Sequence, residues 1–229
     1  MKAVIFDSGA GGLPVLYALN KQYPRADFVY LSDRAHLPYG SKTDGEISEY
    51  VCERLSAVSD ADLIVLACNT ATAVAGGAVR SAFSVPVYGI EPAVKPALAA
   101  SDREVTVLCT PATYRAKQWS NPRLRILTIP TLASDVEKAL ARGGDLDGLA
   151  RRVGYLCDTD VVLGCTHYSY LAQGLRAYGH RTYDGAEGLI RHVSQAMRDE
   201  GFGSLVFYDR RDADLYGLTI DKQEGIRVY

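Results

Sequence analysis

Leu63-Ile64-Val65-Leu66-Ala67-Cys68-Asn69-Thr70-Ala71-Thr72 joins an unbroken apolar run to a thiol and a set of small polar residues. An apolar run without alternation suits a strand covered on both faces, the position strands hold in parallel sheets. Val161-Val162-Leu163-Gly164-Cys165-Thr166-His167-Tyr168 repeats the pattern in the second half: apolar run, one small residue, cysteine, polar group. Ligands of open α/β sheets bind beyond the carboxyl ends of the strands, where Asp7, Cys68, Thr110 and Cys165 are expected to gather. Two thiols in matching contexts point to one site assembled from two similar halves.

Working outward, the two halves share an order of elements. Met1-Lys2-Ala3-Val4-Ile5-Phe6 reads as a strand that stops at Asp7-Ser8-Gly9-Ala10-Gly11-Gly12. The spacing of Leu13, Leu16, Tyr17 and Leu19 then predicts a helix. The glycine-rich turn lacks the Lys-Ser/Thr pair and the GxGxxG spacing of nucleotide loops, so it suggests a site for a small anion such as a carboxylate. Residues 28–31 read as a second strand, 44–59 as a helix and 85–90 as a short strand. From Glu104 the order restarts with a strand at 105–108 and the turn Cys109-Thr110-Pro111-Ala112-Thr113. A strand at 124–130, helices at 135–140 and 146–156 and the Cys165 strand follow. The tail adds an amphipathic helix to about Arg198 and a strand at 204–208, returning to the first half. The expectation is an α/β protein of two pseudo-symmetric αβα domains with mostly parallel central sheets and the active site in the cleft between them. The boundaries expected are residues 1–92 plus 184–229 for the first domain and 93–183 for the second.

Composition sets outer limits. A chain of 229 residues, 48% apolar and 23% charged, suits a soluble globular protein of one large or two modest domains. A formal net charge of -2 argues against a dominant nucleic-acid surface. No run is long enough to span a bilayer and no signal segment opens the chain. A cytoplasmic protein that requires neither nucleic acid nor membrane is therefore expected. The five cysteines, Cys52, Cys68, Cys109, Cys157 and Cys165, are odd in number and contain no CxxC pair, which argues against a disulfide framework or a zinc site. Cys52, Cys109 and Cys157 read as buried reduced thiols.

Two thiols at strand ends could be redox partners, metal ligands, a nucleophile with a spare, or two bases on opposite faces of a substrate. Redox thiols usually lie close in sequence, and a metal would want more ligands than the nearby His167 adds. A Cys165–His167 nucleophile leaves Cys68 unexplained. Inversion of a stereocentre by proton transfer uses both, since one group removes a proton and the other delivers one to the opposite face. A free cysteine with a pKa of about 8.5 is mostly protonated at neutral pH, so each thiol needs a neighbour to relay its proton. Asp7 and His167 are the nearest titratable candidates. Ser8, Asn69, Thr70, Thr166 and the flanking amides are suited to a substrate carboxylate and the charge that develops beside it.

Five stretches in order, FDSGAGG at 6–12, PYGSK at 38–42, ACNTAT at 67–72, GIEPAVKPA at 89–97 and GCTHY at 164–168, together resemble the glutamate racemases. These belong to the cofactor-independent aspartate/glutamate racemase family. The resemblance implies interconversion of L- and D-glutamate, with D-glutamate supplied to peptidoglycan and with no cofactor or metal. It implies that Cys68 takes the proton from D-glutamate and Cys165 from L-glutamate, assisted by Asp7 and His167 respectively. Substrate contacts are implied at Asp7, Ser8, Tyr39, Gly40, Asn69, Thr70, Thr113, Thr166 and His167. An acidic second-domain residue also assists in the family; the run Pro130 to Glu137 makes Glu137 its candidate, although an exposed helix glutamate suits that pattern equally. Family members often form homodimers, with varied contacts.

The chain departs from the family pattern in being some tens of residues shorter, mainly between Trp119 and Asp158. It also has Ser169 where a proline is common, Pro14 where Ser or Thr is usual, and Ala116 in place of a serine. An aspartate racemase of the same superfamily and a non-catalytic amino-acid-binding protein on this scaffold are the alternative readings.

Overall fold

Strands that alternate with helices run parallel, because a crossover returns the chain to the same edge of the sheet before the next strand begins. A computed structural model describes residues 1–58, 60–219 and 226–228. The first half contains β1 (Lys2–Asp7), α1 (Leu13–Gln22), β2 (Asp27–Ser32), α2 (Asp44–Ser56), β3 (Leu63–Leu66), α3 (Asn69–Ala82) and β4 (Val87–Gly89). Next come α4 (Val94–Ala100), β5 (Val105–Cys109), α5 (Pro111–Ala116), β6 (Leu124–Thr128), α6 (Leu132–Arg142) and α7 (Leu146–Gly154). The second half closes with β7 (Asp160–Gly164), α8 (Ala172–Ala177) and β8 (Arg181–Asp184). The tail supplies α9 (Ala186–Val193), β9 (Leu205–Phe207), α10 (Arg210–Thr219) and β10 (Ile226–Val228).

Strand order is β10-β9-β2-β1-β3-β4 in one sheet and β6-β5-β7-β8 in the other, all paired in parallel. The order β2-β1-β3-β4 is thus reproduced by β6-β5-β7-β8. A duplication faint in the letters is explicit in the topology. It puts Cys68 beyond β3 and Cys165 beyond β7, on equivalent central strands, which is where the doubled motif places them.

Side-chain alternation divides each strand between two covered faces. In the first sheet Ala3, Ile5, Tyr30 and Val65 meet α1, α9 and α10 on one side, while Val4, Phe6, Leu31 and Leu66 meet α2 and α3 on the other. In the second, Leu108, Val161 and Leu163 pack on α6, α7 and α8, and Val105, Val107 and Val162 on α4. Each sheet is a helix-covered layer with apolar strands throughout, as the runs around Cys68 and Cys165 require. Burying one such Val, Leu or Ile side chain contributes about 1.5–3 kcal/mol.

Several elements are shorter or longer than their sequence pattern. The strand expected at 85–90 is trimmed to β4, since Pro86 has no N–H to offer a ladder. The strand expected at 124–130 stops at Thr128, ahead of Pro130. The helix expected at 44–59 ends at Ser56, and Ser59 lies outside the described residues. The helix expected at 135–140 extends to Leu132 and Arg142, which carries Glu137 into its middle. No helix among the described residues is long and apolar enough to cross a membrane.

Candidate active site

Cys68 lies two residues beyond β3, with extended backbone, and caps α3, its sulfur accepting from the Ala71 N–H at 3.5 Å. The thiol faces Ser8 Oγ at 3.7 Å and is buried. Burial, and then the neighbouring Asp7 carboxylate, push the Cys68 thiol up to about 12, with the Ala71 and Ser8 contacts opposing in part. Asp7 ends the adjacent strand β1 and is fully buried. Its Oδ1 accepts from the Gly9 N–H at 2.8 Å and its Oδ2 from the Thr166 hydroxyl at 2.9 Å. Burial raises the Asp7 carboxyl to about 6, against the charge of His167 and those two bonds. A carboxyl poised near neutrality is suited to exchange protons with a thiol beside it.

Cys165 occupies the corresponding place beyond β7, at the head of the 3₁₀ segment Thr166–Leu171. That short segment turns His167 back, so that its Nδ1 lies 4.0 Å from Cys165 Sγ. On the far side of the ring, Nε2 lies 2.6 Å from Glu137 Oε2. Burial disfavours a charged imidazole here, but the Cys165 sulfur and the Glu137 carboxylate outweigh it and hold the ring well above its ordinary range. Burial likewise opposes the Glu137 carboxylate, yet the bond to His167, its charge and the Arg34 guanidinium bring it down to about 2.

Glu137 is therefore not an exposed helix glutamate; only 7% of its surface is accessible. Its Oε2 also accepts from the Ala10 N–H at 3.0 Å, across the cleft. The glycine-rich turn read from sequence as a small-anion site thus gives one of its amides to a carboxylate of the same chain. Its glycines answer a second need, close approach. A Cβ at Gly11 would lie 2.4 Å from Thr166 Oγ1 and 2.7 Å from His167 Nδ1. Gly40 meets the other half in the same way, with an added Cβ 2.9 Å from that of Thr110.

The remaining residues expected to contact substrate fall on the same cleft, in differing states. Thr70, Thr110 and Thr113 hydroxyls form a triangle with sides of 2.9, 3.1 and 3.0 Å that joins α3 to the start of α5. The Tyr39 hydroxyl donates to Asp33 Oδ2 at 2.6 Å, and His36 Nδ1 lies 2.9 Å from both oxygens of that carboxylate. Asn69 is buried with neither its amide nitrogen nor its oxygen hydrogen-bonded. An unpaired buried amide costs on the order of 1–3 kcal/mol, which marks the spot as suited to a polar ligand. Sequence reading missed Arg34 and Asp212, which stand behind Glu137, and Asp33, which holds Tyr39. No spacing pattern connects them; their charge and burial together would have been the only signal.

All five cysteines are free thiols. Among the described residues no group of three or more His, Cys, Asp or Glu is placed to hold a metal ion. A separate cleft of about 1180 Å³ opens beside the segments that cross between the sheets, lined in part by Glu91, Lys117, Trp119, Asp184 and His192. Neither thiol nor either of their helpers lines it.

The chain as a whole is similar in sequence and in fold to known proteins. The model of the Asp/Glu/hydantoin racemase family matches residues 28–193. The glutamate racemase of Deinococcus radiodurans is 34% identical across 98% of this chain and 83% of its own length. The solved glutamate racemase of Aquifex pyrophilus is similar with a TM-score of 0.78 at 31% identity, covering 100% of this chain and 98% of that one. The Escherichia coli enzyme, crystallised in complex with L-glutamate, reaches a TM-score of 0.80 at 26% identity, with 99% and 96% covered. The chain belongs to the Asp/Glu/hydantoin racemase family, and relatives that span nearly its whole length include glutamate racemases.

Proposed function

We propose that the chain is a glutamate racemase that moves protons between two thiols on opposite faces of the substrate Cα. The observation that carries this reading is the doubled half-site: Cys68 and Cys165 beyond equivalent strands, each with its own titratable neighbour. For L-glutamate, the Cys165 thiolate takes the Cα proton and the Cys68 thiol delivers its own to the opposite face. The product is D-glutamate, with the protonation of the two sulfurs exchanged. In the other direction the roles reverse. Asp7 and His167 are the groups through which each sulfur regains or sheds its proton before the next turnover.

Asn69, Ser8, Thr70 and the threonine triangle supply the hydrogen bonds for the carboxylates and ammonium of a diacid amino acid. Donors preorganised in a buried cleft stabilise the carbanion-like transition state more than they would in water. Such an enzyme would work in the cytoplasm and supply D-glutamate for peptidoglycan. Deuterium uptake at Cα from deuterium oxide, followed with optical rotation for both enantiomers of glutamate and of aspartate, tests the reading. Exchange and inversion with glutamate are expected. Faster turnover of aspartate would move the assignment to an aspartate racemase, and tight glutamate binding without exchange would make the protein a binding module.

The raised Asp7 carboxyl predicts a pH profile. As pH falls through about 6, Asp7 takes up a proton and can no longer accept the one that Cys68 must lose before it serves as base. The value of kcat/KM from D-glutamate therefore falls on the acid side of about 6. Asp7→Asn is expected to remove that limb and to lower kcat by about 10²–10⁴-fold. Initial rates across pH for both proteins measure it, and an unchanged limb in the variant would assign the titration to another group.

A further inference from the structure

A line of buried charges runs from the C-terminal helix to the Cys165 thiol. Arg34 lies just beyond β2, with its side chain 7% accessible. Its Nε donates to Asp212 Oδ1 at 2.9 Å and Nη2 donates to the same oxygen. Its Nη1 donates to Glu137 Oε1. Asp209 Oδ1 stands 3.9 Å from Nε. Asp212, fully buried on α10, also accepts from the Ser32 hydroxyl. Glu137 belongs to α6 on the other sheet, and Arg34 takes the one carboxylate oxygen that His167 and Ala10 leave over.

We propose that Arg34, clamped by Asp212, is a positioning residue for the racemisation, fixing the Glu137 carboxylate against His167 so that helix α10 sets the geometry of the Cys165 half-site. This rests on the two-thiol reading above. The physical case is one of geometry and charge. A carboxylate bonded through one oxygen alone can rotate about its Cγ–Cδ bond, and the imidazole it holds would swing with it. Arg34 engages the second oxygen and removes that freedom. A guanidinium can do so while anchored elsewhere, because its planar fork serves two partners at fixed angles; a lysine ammonium is a single point charge. Without the cation, Glu137 and Asp212 are left buried without their shared counter-charge.

The charged and titratable groups that face this line are Asp7 from β1, Tyr30 from β2, Cys165, His167 and Tyr170 from the turn after β7, Glu137 from α6, and Asp209, Arg211 and Asp212 from the tail. Four carboxylates, Asp7, Glu137, Asp209 and Asp212, face three cations, His167, Arg211 and Arg34, so removing Arg34 widens an excess of negative charge that is already there. Glu137 then protonates at higher pH, and its loss as a carboxylate raises the pH at which turnover from L-glutamate, the direction in which Cys165 is the base, is lost to acid; the limb from D-glutamate set by Asp7 is a separate one.

Arg34→Met and Arg34→Lys, each compared with the wild-type protein, test the proposal by steady-state racemisation across pH and by nitrogen NMR of labelled histidines. Arg34→Met is expected to lower kcat by up to about a hundredfold while KM changes far less, because misplacement of a catalytic group costs on that order. Its acid limb from L-glutamate moves up in pH while that from D-glutamate stays, and the His167 signals shift. Arg34→Lys restores the limb, since charge is kept, but only part of kcat, since the fork is lost. Combining Arg34→Met with Asp212→Asn costs little beyond the worse single change, as expected for residues acting as one unit.

A merely structural strut would lower the melting temperature and leave the pH profile and the His167 signals alone; that result overturns the proposal. Should Arg34→Met fail to fold, Arg34→Lys decides: wild-type kcat with unmoved His167 signals overturns it. A wild-type protein that exchanges no Cα proton overturns the racemase reading instead, while the His167 signals of Arg34→Lys still test whether Arg34 positions the pair.

Discussion

Cys68→Ser and Cys165→Ser each abolish racemisation from both enantiomers, with kcat expected to fall by about 10³-fold or more. Each direction of the proposed reaction uses one sulfur as base and the other as acid, so neither enantiomer is spared. A serine hydroxyl nearly matches the thiol in volume and leaves the fold in place, but it is far too weak an acid to take either role. Loss of a positioned acid or base is commonly worth about 10²–10⁴-fold, and here each sulfur serves as both. Polarimetry with L- and with D-glutamate measures the effect, and Cα deuterium uptake adds resolution. Any exchange that persists in a single-thiol variant should proceed without inversion, since only one face of Cα still has a base. Near-normal turnover in either variant would overturn the opposed-base assignment.

Gly11→Ala is the second large effect, and it follows from packing rather than from proton chemistry. The new methyl would sit 2.4 Å from Thr166 Oγ1 and 2.7 Å from His167 Nδ1, both far inside contact distance. Neither neighbour is free to yield, because Thr166 is bonded to Asp7 and His167 to Glu137. The two halves must therefore draw apart at the cleft, stretching the contacts that orient both helpers. A shift of about 1 Å at a catalytic group can cost about 10²-fold, and kcat should fall by that order. Overpacking of this kind typically destabilises by about 1–3 kcal/mol, which urea denaturation reads separately. Gly45→Ala supplies the comparison: it lies in α2 with nothing within 4 Å of an added Cβ, and should leave turnover unchanged. A Gly11→Ala protein with wild-type kcat would show that the cleft tolerates the methyl and that its closeness is not required for turnover.

The parts of the site legible in the sequence are those tied to strand ends. Asp7, Cys68, Thr110 and Cys165 each follow an apolar run, and a parallel sheet brings such positions to one edge whatever the details of packing. The doubled element order was legible for the same reason, and the strand order β2-β1-β3-β4 repeated as β6-β5-β7-β8 gives it a geometric form. Tyr39 and Asn69 were named as substrate contacts only through resemblance to a family, which said nothing of their states: one hydroxyl is engaged by Asp33, and one amide has no hydrogen-bond partner. Element ends were less legible: the strands expected at 85–90 and 124–130 took in Pro86 and Pro130, and α6 runs past its expected 135–140 at both ends, stopping only at Gly143.

Sequence alone determined the alternation of strand and helix, the repeated element order of the two halves and the placing of two thiols beyond equivalent strands. It could do so because burial on both faces of a sheet demands continuous apolar runs, and reactive side chains stand out against them. Tertiary structure alone decided which charges meet. Arg34, Glu137, His167 and Asp212 come from four separate elements, and nothing in the spacing of any one of them names its partner. Ion pairs depend on distances of a few ångströms between helices and loops that pack independently. Only the closing of one sheet against the other brings Arg34 to the Glu137–His167 pair, and makes Gly11 a place where no side chain fits.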